Sequence, residues 1–145
     1  MQEFSYSDRG IALTKGFEGL RLEAYQDCAG NWTIGYGHAG ASVLPGQSIS
    51  EPEAEKLLQA DLAEAVACVN QAVRAVISQG QFDAMVDFCF NAGRGNFVQS
   101  TLLRKVNSGD LQGAAGQFAL WVHAGGEIVA GLLRRRNAEA AMFAA

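Results

Sequence analysis

The sequence predicts an α+β fold, with a small antiparallel β lobe and a larger helical lobe joined by a long helix. Three observations predict it. A helical pattern near the N-terminus gives way to residues that alternate between apolar and polar around a turn. A long, capped helical pattern then begins at Ser50. Helical patterns separated by glycines fill the rest. Two such lobes are expected to leave a cleft, a common place for a ligand.

The N-terminal third carries the predicted β structure. A first helix, capped at Ser7–Asp8, is expected to end near Glu18–Gly19, since glycine favours helix termination. Two alternating segments, Leu20–Gln26 and Trp32–Tyr36, flank the turn-forming residues Asp27–Asn31. This arrangement is typical of a β-hairpin.

The remaining segments are predicted to be helical. Ser50 and Glu53 form a capping box, with Pro52 in the first turn, and the pattern continues to about Val76. We expect breaks at Gly93 and Gly95, and a glycine-rich link at residues 124–126. The later helices are expected at Ser78–Asn91, Ser100–Asn107, Asp110–Leu120 and Leu132–Phe143.

The 145 residues fit one domain, 1–145, that is long enough to bury a core. Within it we expect the β lobe at about 19–49 and the connecting helix at about 50–76. The helical lobe should comprise about 77–145 together with the N-terminal helix.

Composition excludes several function classes. The net charge of -4 argues against nucleic-acid binding, which usually needs a basic face. Met1–Arg9 has no apolar stretch, so neither a signal peptide nor a membrane anchor is expected. The widely spaced cysteines 28, 68 and 89 predict thiols in a reducing cytoplasm, without a disulfide framework. No metal site or cofactor is predicted. Gly35–Gly40 matches G-x-G-x-x-G, but no helix follows to bind a pyrophosphate.

Two carboxylates differ in predicted environment. Glu18 lies at a helix C-terminus beside Phe17, where the helix dipole and desolvation would raise its pKa and suit a general acid. Asp27 opens a polar turn, where backbone amides and solvent can stabilise its anion. Glycoside hydrolysis commonly uses such a pair. By spacing alone, the pair would more often be two solvated carboxylates.

Thr33 lies across the hairpin turn from Asp27, where its hydroxyl can hold a water. On the strand, Thr33, Gly35 and Gly37 share one face, and the absence of side chains at the glycines is expected to leave room for a sugar chain. The opposite face, expected to pack inward, carries Trp32, Ile34 and Tyr36.

Several segments together carry a family signature. They are Phe17–Leu22, Ala24–Tyr25, Asp27, Trp32–His38, Phe90–Gly93, Ser100–Leu103, Trp121, Gly131–Leu132 and Arg134–Arg136. On these residues the chain resembles the phage-type lysozymes (endolysins), glycoside hydrolase family 24, which include the T-even phage lysozyme. The resemblance covers most of the chain and implies a lysozyme-like fold.

The resemblance also implies a site and a reaction. Glu18, Asp27 and Thr33 match the family's catalytic triad in type and spacing. The reaction would be hydrolysis, with inversion, of the β-1,4 bond between N-acetylmuramic acid and N-acetylglucosamine. Substrate-binding residues would be Gly37, His38, Ala39, Phe90, Asn91, Thr101 and Gln117. Ala39 and Gln117 depart from the family pattern in type, which puts their roles in doubt.

The partners follow from the same resemblance. The substrate would be the glycan strands of peptidoglycan, attacked by a monomer that causes host cell lysis. The protein would stay in the host cytoplasm until a holin-type pore, made by another protein, gave it access to the wall. The acidic balance predicts weak activity when it is added outside intact Gram-negative cells, because an anionic wall would not attract it.

Alternatives remain for the function and for single residues. A lytic transglycosylase would leave Asp27 and Thr33 without a water to activate, and a non-catalytic peptidoglycan-binding protein would need no triad. His38 fits a general base less well than a structural, hydrogen-bonded histidine. His123 has no partner pattern. For Arg134–Arg136, a reach into the cleft or onto the wall and a solvated helix face are equally supported.

Overall fold

The computed structural model describes residues 3–145 and confirms the predicted α+β class. Within this range, helices alternate with two small antiparallel sheets. The helices are α1 (Asp8–Glu18), α2 (Glu51–Ala72), α3 (Gln79–Ala92), α4 (Arg94–Gln99), α5 (Thr101–Asn107), α6 (Leu111–Ala115) and α7 (Ala130–Ala144). The strands are β1 (Arg21–Gln26), β2 (Trp32–Gly35), β3 (His38–Ala39), β4 (His123–Ala124) and β5 (Glu127–Ile128). No helix described is long and apolar enough to cross a bilayer.

The chain divides into two compact units. The first, which we call the hairpin unit, comprises Ala12–Glu64. The second, the helical unit, comprises the residues up to Ile11 together with Ala65–Ala145. Helices α1 and α2 each contribute residues to both units.

The hairpin unit contains the predicted β-hairpin, extended by a third strand. The sheet has the order β1-β2-β3, all antiparallel, with Tyr25 opposite Thr33 on one side and Ala39 opposite Thr33 on the other. The two-residue strand β3 was not predicted, because two residues carry no measurable alternation. Ile34 and Tyr36 are buried as expected, while Trp32 is half-buried.

Helix α2 begins where the capping box predicted but ends four residues early. Ser50 caps its start, and Asn107 accounts for its end. The Asn107 side chain donates from Nδ2 to the Ala72 carbonyl (3.0 Å) and accepts from the Arg74 amide (2.8 Å). This side chain binds backbone groups that a continuing helix would pair internally. The predicted end near Val76 is therefore wrong, because a distant asparagine caps the chain sooner.

The helical unit is built around aromatic residues of α3. Ser78 and Gln81 form a capping box at its start. Phe88 meets the rings of Phe97 and Phe118 edge-on, with centroids 6.4 and 5.7 Å apart. These rings and Phe82 are fully buried, as the sequence predicted, whereas Phe90 is half-buried.

Three local predictions in the helical unit are wrong. Gly95 does not break the chain but lies inside the short helix α4. The helix expected at Asp110–Leu120 is divided, because α6 ends at Ala115, with Gly116 as its C-cap, and a separate 3₁₀ turn follows at Phe118–Leu120. The expected link at 124–126 is a tight hairpin between β4 and β5, with Gly125 and Gly126 at φ +60° and +83°. Two consecutive positive φ values suit glycine and match the turn that joins short antiparallel strands.

Candidate active site

Glu18 is the last residue of α1, as predicted, and its side chain is half-buried. Gly19 follows at φ +70° and ends the helix through a bond from its amide to the Lys15 carbonyl (2.9 Å). The Glu18 carboxylate lies directly against Gly37, where a Cβ would collide with it. Gly37 also has a φ of +77°, which side chains rarely adopt. Residue 37 is therefore suited to glycine for two reasons.

The space beside the hairpin glycines is occupied by protein atoms. At Gly37 the neighbour is Glu18. At Gly35, a Cβ would lie 3.4 Å from the Cβ of Ala54 and 3.5 Å from Cδ1 of Ile49. The expectation that these two positions are left open for a sugar chain is therefore wrong, because the chain itself fills them.

Asp27 lies in the exposed turn between β1 and β2. Its Oδ1 accepts hydrogen bonds from the amides of Ala29 and Asn31, both at 2.9 Å, and Oδ2 lies 3.4 Å from Asn31 Nδ2. The bond from the Asn31 amide is the largest cause that lowers the pKa of Asp27 below its usual 3.8. The predicted stabilisation of this anion by backbone amides is confirmed.

Thr33 is connected to Asp27 through the backbone of Asn31. The Asn31 carbonyl accepts from the Thr33 hydroxyl (3.0 Å) and from the Asp27 amide (2.9 Å). Thr33 is only 4% exposed, so it is not on an open face as expected; its position between β1 and β3 accounts for its burial. A hydroxyl that donates to a carbonyl retains lone pairs with which it can accept. Asn31, which the sequence interpretation treated only as a turn residue, thus fixes both side chains.

Comparison with known proteins identifies the family. The phage lysozyme family matches residues 15–139. The chain belongs to the phage lysozyme family. It is 45% identical over 139 residues to the endolysin of Bacillus phage B103, a match that covers 94% of this chain and 53% of that protein. The chain thus spans about half the length of that relative.

Solved structures agree with the family assignment. The muramidase domain of SpmX from Asticaccaulis excentricus is 41% identical, with a TM-score of 0.89, and the match covers 97% of this chain and 98% of that one. A mutant of P22 lysozyme is 39% identical, with a TM-score of 0.85 and coverage of 98% and 99%. The predicted resemblance to phage lysozymes and the fold class are therefore confirmed.

His38 and Ala39 form β3 in the hairpin unit. The Nδ1 atom of His38 lies 2.8 Å from Oδ2 of Asp61, a residue of α2. This contact agrees with the interpretation of His38 as a hydrogen-bonded structural histidine. Asp61 was not singled out from the sequence, because no local motif links it to a residue 23 positions away. Ala39 is exposed.

The other four predicted substrate-binding residues lie in the helical unit, and all four are half-buried. Phe90 and Asn91 belong to the last part of α3. Thr101 begins α5, and its hydroxyl accepts from Arg104 (2.8 Å). Gln117 precedes the 3₁₀ turn. Of these four, Asn91 lines a pocket described below; the other three do not line it.

Two of the three arginines at 134–136 are buried and paired. Arg134 is exposed, but Arg135 and Arg136 are 5% and 1% exposed. Arg135 binds the fully buried Asp87 of α3 through two parallel hydrogen bonds of 2.9 Å. The interpretation as a solvated helix face is therefore wrong for Arg135 and Arg136, because α7 turns them toward the core and its carboxyl groups. Arg136 also lines a pocket described below, so a reach toward a ligand site stays a prediction for that residue.

Arg136 pairs with Glu139, one turn further along α7. Nη2 of Arg136 donates to Oε2 of Glu139 at 3.0 Å. Nε lies 2.7 Å from Oε1, but neither atom is in hydrogen-bonding geometry. Burial, together with a hydrogen bond to Asp87 and its charge, raises the pKa of Glu139 to about 10. Sequence reasoning missed Asp87 and Glu139, although a charged residue within an apolar helical run was an available signal.

Proposed function

We propose that this chain is an endolysin that hydrolyses the β-1,4 bond between N-acetylmuramic acid and N-acetylglucosamine in peptidoglycan, with inversion. Glu18 protonates the glycosidic oxygen as the general acid. Asp27, with Thr33, orients and activates the attacking water. The substrate contacts are those of the family positions Gly37, His38, Ala39, Phe90, Asn91, Thr101 and Gln117.

The observation that carries the proposal is the state of Asp27. Its carboxylate is exposed to solvent, yet two backbone amides hold it as an anion. An inverting glycosidase needs such a carboxylate as a base. The Thr33 hydroxyl shares the Asn31 carbonyl with the Asp27 amide, which gives the two groups a fixed relation. Membership of the phage lysozyme family supports the assignment of the acid to Glu18.

The first test replaces the acid by its amide. We expect Glu18→Gln to lose at least about a hundredfold in the release of reducing ends from purified peptidoglycan, because proton donation in the transition state contributes about that much or more. Glutamine keeps the size of the group that packs on Gly37. Glu23→Gln, an exposed change on β1, is the matched control and should retain activity. Equal activity of Glu18→Gln and the parent would rule out Glu18 as the acid.

The chemistry of the products separates hydrolysis from its alternatives. Mass spectrometry of the released muropeptides should show reducing-end products that have gained water. Anhydromuramic products would instead indicate a lytic transglycosylase, and no release at all would indicate a binding protein. Proton NMR of the first product formed should show the α-anomer, since inversion of a β-bond gives it, whereas a retaining enzyme would give the β-anomer.

The cellular setting is part of the same proposal. Relatives named as phage endolysins support action on the cell wall. We further propose that the protein acts as a monomer and leaves the host cytoplasm through a holin-type pore. Expression with and without a pore-forming partner should give lysis only in the first case, and sedimentation should give the mass of one chain. Because the net charge is -4, purified protein should clear extracted peptidoglycan far better than it kills untreated Gram-negative cells.

A further inference from the structure

A pocket in the helical unit lies at the end of α3. It has a volume of about 340 Å³. Its lining combines polar or aromatic side chains (Asn91, Asn96, Trp121, His123 and Arg136) with the apolar Ala92, Leu120 and Leu132. None of the described residues that line it is acidic. Its walls therefore combine hydrogen-bonding groups with an aromatic ring, which is typical of a site for a polar organic ligand.

The amide of Asn91 has a defined orientation at this pocket. Nη2 of Arg136 lies 2.7 Å from Oδ1 of Asn91. A guanidinium can only donate hydrogen bonds, so the atom that faces it must be the amide oxygen. The Asn91 nitrogen, with its two hydrogens, must then be the branch directed away from Arg136.

Arg136 itself is held from two sides. It is 1% exposed, its Nη2 atom also donates to Glu139 (3.0 Å), and its guanidinium carbon lies 5.0 Å from the centre of the Phe88 ring. Phe88 in turn meets the Trp121 ring edge-on at 5.4 Å. A buried side chain with this many fixed neighbours cannot rotate freely. It therefore restricts the Asn91 amide to one of its two orientations.

We propose that Arg136 and Glu139 are positioning residues that fix Asn91 with its amide nitrogen toward the pocket, as a hydrogen-bond donor to a carbonyl or carboxylate of the bound peptidoglycan. This inference rests on the proposed function and adds to it a means by which the substrate is oriented. The acceptor is either the acetamido carbonyl of a sugar or a carbonyl or carboxylate of the lactyl-peptide branch. Neither positioning residue takes part in bond cleavage.

The sharpest test is Asn91→Asp. The aspartate keeps an oxygen for Arg136 but has no hydrogens to donate to a ligand. We expect KM for peptidoglycan to rise about tenfold with kcat little changed, since one lost hydrogen bond to a ligand is worth roughly that factor. Thermal stability should not fall, because the pairing with Arg136 is retained. Asn137→Asp, an exposed change of the same charge on α7, is the control. An unchanged KM in Asn91→Asp would overturn the proposal.

A second variant tests the positioning role. Arg136→Lys keeps the charge but has no planar fork to hold both Glu139 and the Asn91 oxygen. KM should rise about threefold, since the Asn91 amide would then populate both orientations. If the two residues act through one donor, Arg136→Lys together with Asn91→Asp should raise KM no more than Asn91→Asp alone. If the two single-variant increases in KM multiply in the double variant, Arg136 acts on binding independently of the Asn91 amide.

Binding without turnover separates this inference from the proposed function. Isotope-labelled protein is titrated with triacetylchitotriose, which offers only acetamido carbonyls, and with muramyl dipeptide, which adds the lactyl-peptide branch. The side-chain NH₂ resonances of Asn91 should shift with at least one probe, and the probe that shifts them identifies the acceptor. Binding of both probes without a shift at Asn91 would refute the inference. A parent protein that binds but releases no reducing ends would refute the proposed function instead.

Discussion

Two carboxylate sites in the molecule are stabilised in opposite ways. In the hairpin unit, Asp27 is exposed and its partners are backbone amides within four residues. In the helical unit, Asp87 and Glu139 are fully buried and are paired with arginines, in the case of Asp87 with Arg135, 48 positions away. The first arrangement holds an anion in water. The second buries the Asp87 anion against Arg135, beside the protonated carboxyl of Glu139.

The difference in exposure suits the first site to a reaction and the second to stabilising the fold. A carboxylate held by the backbone stays ionised and accessible, which suits a base that must meet water. A carboxylate buried among arginines is inaccessible, and its loss leaves an uncompensated charge. Variants in the two sites should therefore fail in different assays, the first in activity and the second in stability.

The largest expected effect is on stability in the buried site. Arg135→Met removes the two hydrogen bonds to Asp87 and leaves that carboxylate without its main partner. We expect the free energy of unfolding to fall by about 3–5 kcal/mol in denaturant titrations. Arg134→Met, its exposed neighbour, should change it by less than about 0.5 kcal/mol. A small loss for Arg135→Met would mean that the buried pair contributes no more than a surface one.

The next largest effect is on activity in the exposed site. Asp27→Asn should reduce wall hydrolysis by about a hundredfold or more, because the proposed general base is lost. In the parent, the pKa of the Asp27 carboxyl lies below its usual 3.8. The acidic limb of the kcat/KM profile that is due to Asp27 should therefore lie below about pH 4. Asp110 is also exposed, and its pKa is lowered by a backbone amide, that of Gly113. Asp110→Asn is therefore the matched control and should retain activity. An equal loss of activity in both variants would show that the loss in Asp27→Asn is not specific to the site.

A pH-dependent effect is expected from Glu139. The folded protein keeps this carboxyl protonated up to about pH 10, while the unfolded chain releases the proton near 4.5. The parent should therefore lose stability as the pH rises through that window, because only the unfolded chain releases the proton there. Glu139→Gln lacks this dependence. Unfolding titrations between about pH 5 and 8 should show diverging curves, and parallel curves would contradict a protonated Glu139.

The smallest effect should come from Asn31→Ala. The main support that Asn31 gives to Asp27 and Thr33 comes from its backbone, and its side chain adds only a contact of 3.4 Å. Stability should change by less than about 0.5 kcal/mol, and activity by less than about threefold. A loss comparable to that of Asp27→Asn would place the asparagine side chain itself in the reaction.

The same two sites show what the sequence was able to predict. The end of α1, the hairpin and the environment of Asp27 depend on residues close together in the chain, and local patterns predicted them. The buried pairs depend on which face of α7 meets α3. No local pattern contains that information, so the arginine run was misjudged. The cap that Asn107 forms at the end of α2 was not predicted for the same reason, because the two segments are far apart in the sequence.

The hairpin at residues 124–127 was not predicted, although the sequence contains a signal for it. The residues Ala124-Gly125-Gly126-Glu127 contain a two-glycine turn of the kind that joins paired strands. The flanking strands have only two residues each, too few to show alternation, so the two-glycine turn was the one sequence signal for this hairpin. At the hairpin, β2 ends at Gly35 and Gly37 lies in the turn before β3, so the strand face that Thr33, Gly35 and Gly37 were expected to share does not reach Gly37. The neighbours that fill the space at both glycines come from other segments, and alternation along one strand cannot predict them.

The turn that holds Asp27 has a consequence for sequence variation. Its donors are main-chain amides, which every residue except proline possesses, so side chains at 28, 29 and 31 are free to change without removing the support of the anion. The shape of the turn depends instead on Gly30, at φ +86°. An engineered library could therefore randomise Cys28, Ala29 and Asn31 to alter substrate preference beside the proposed base, while keeping the glycine constant and proline excluded.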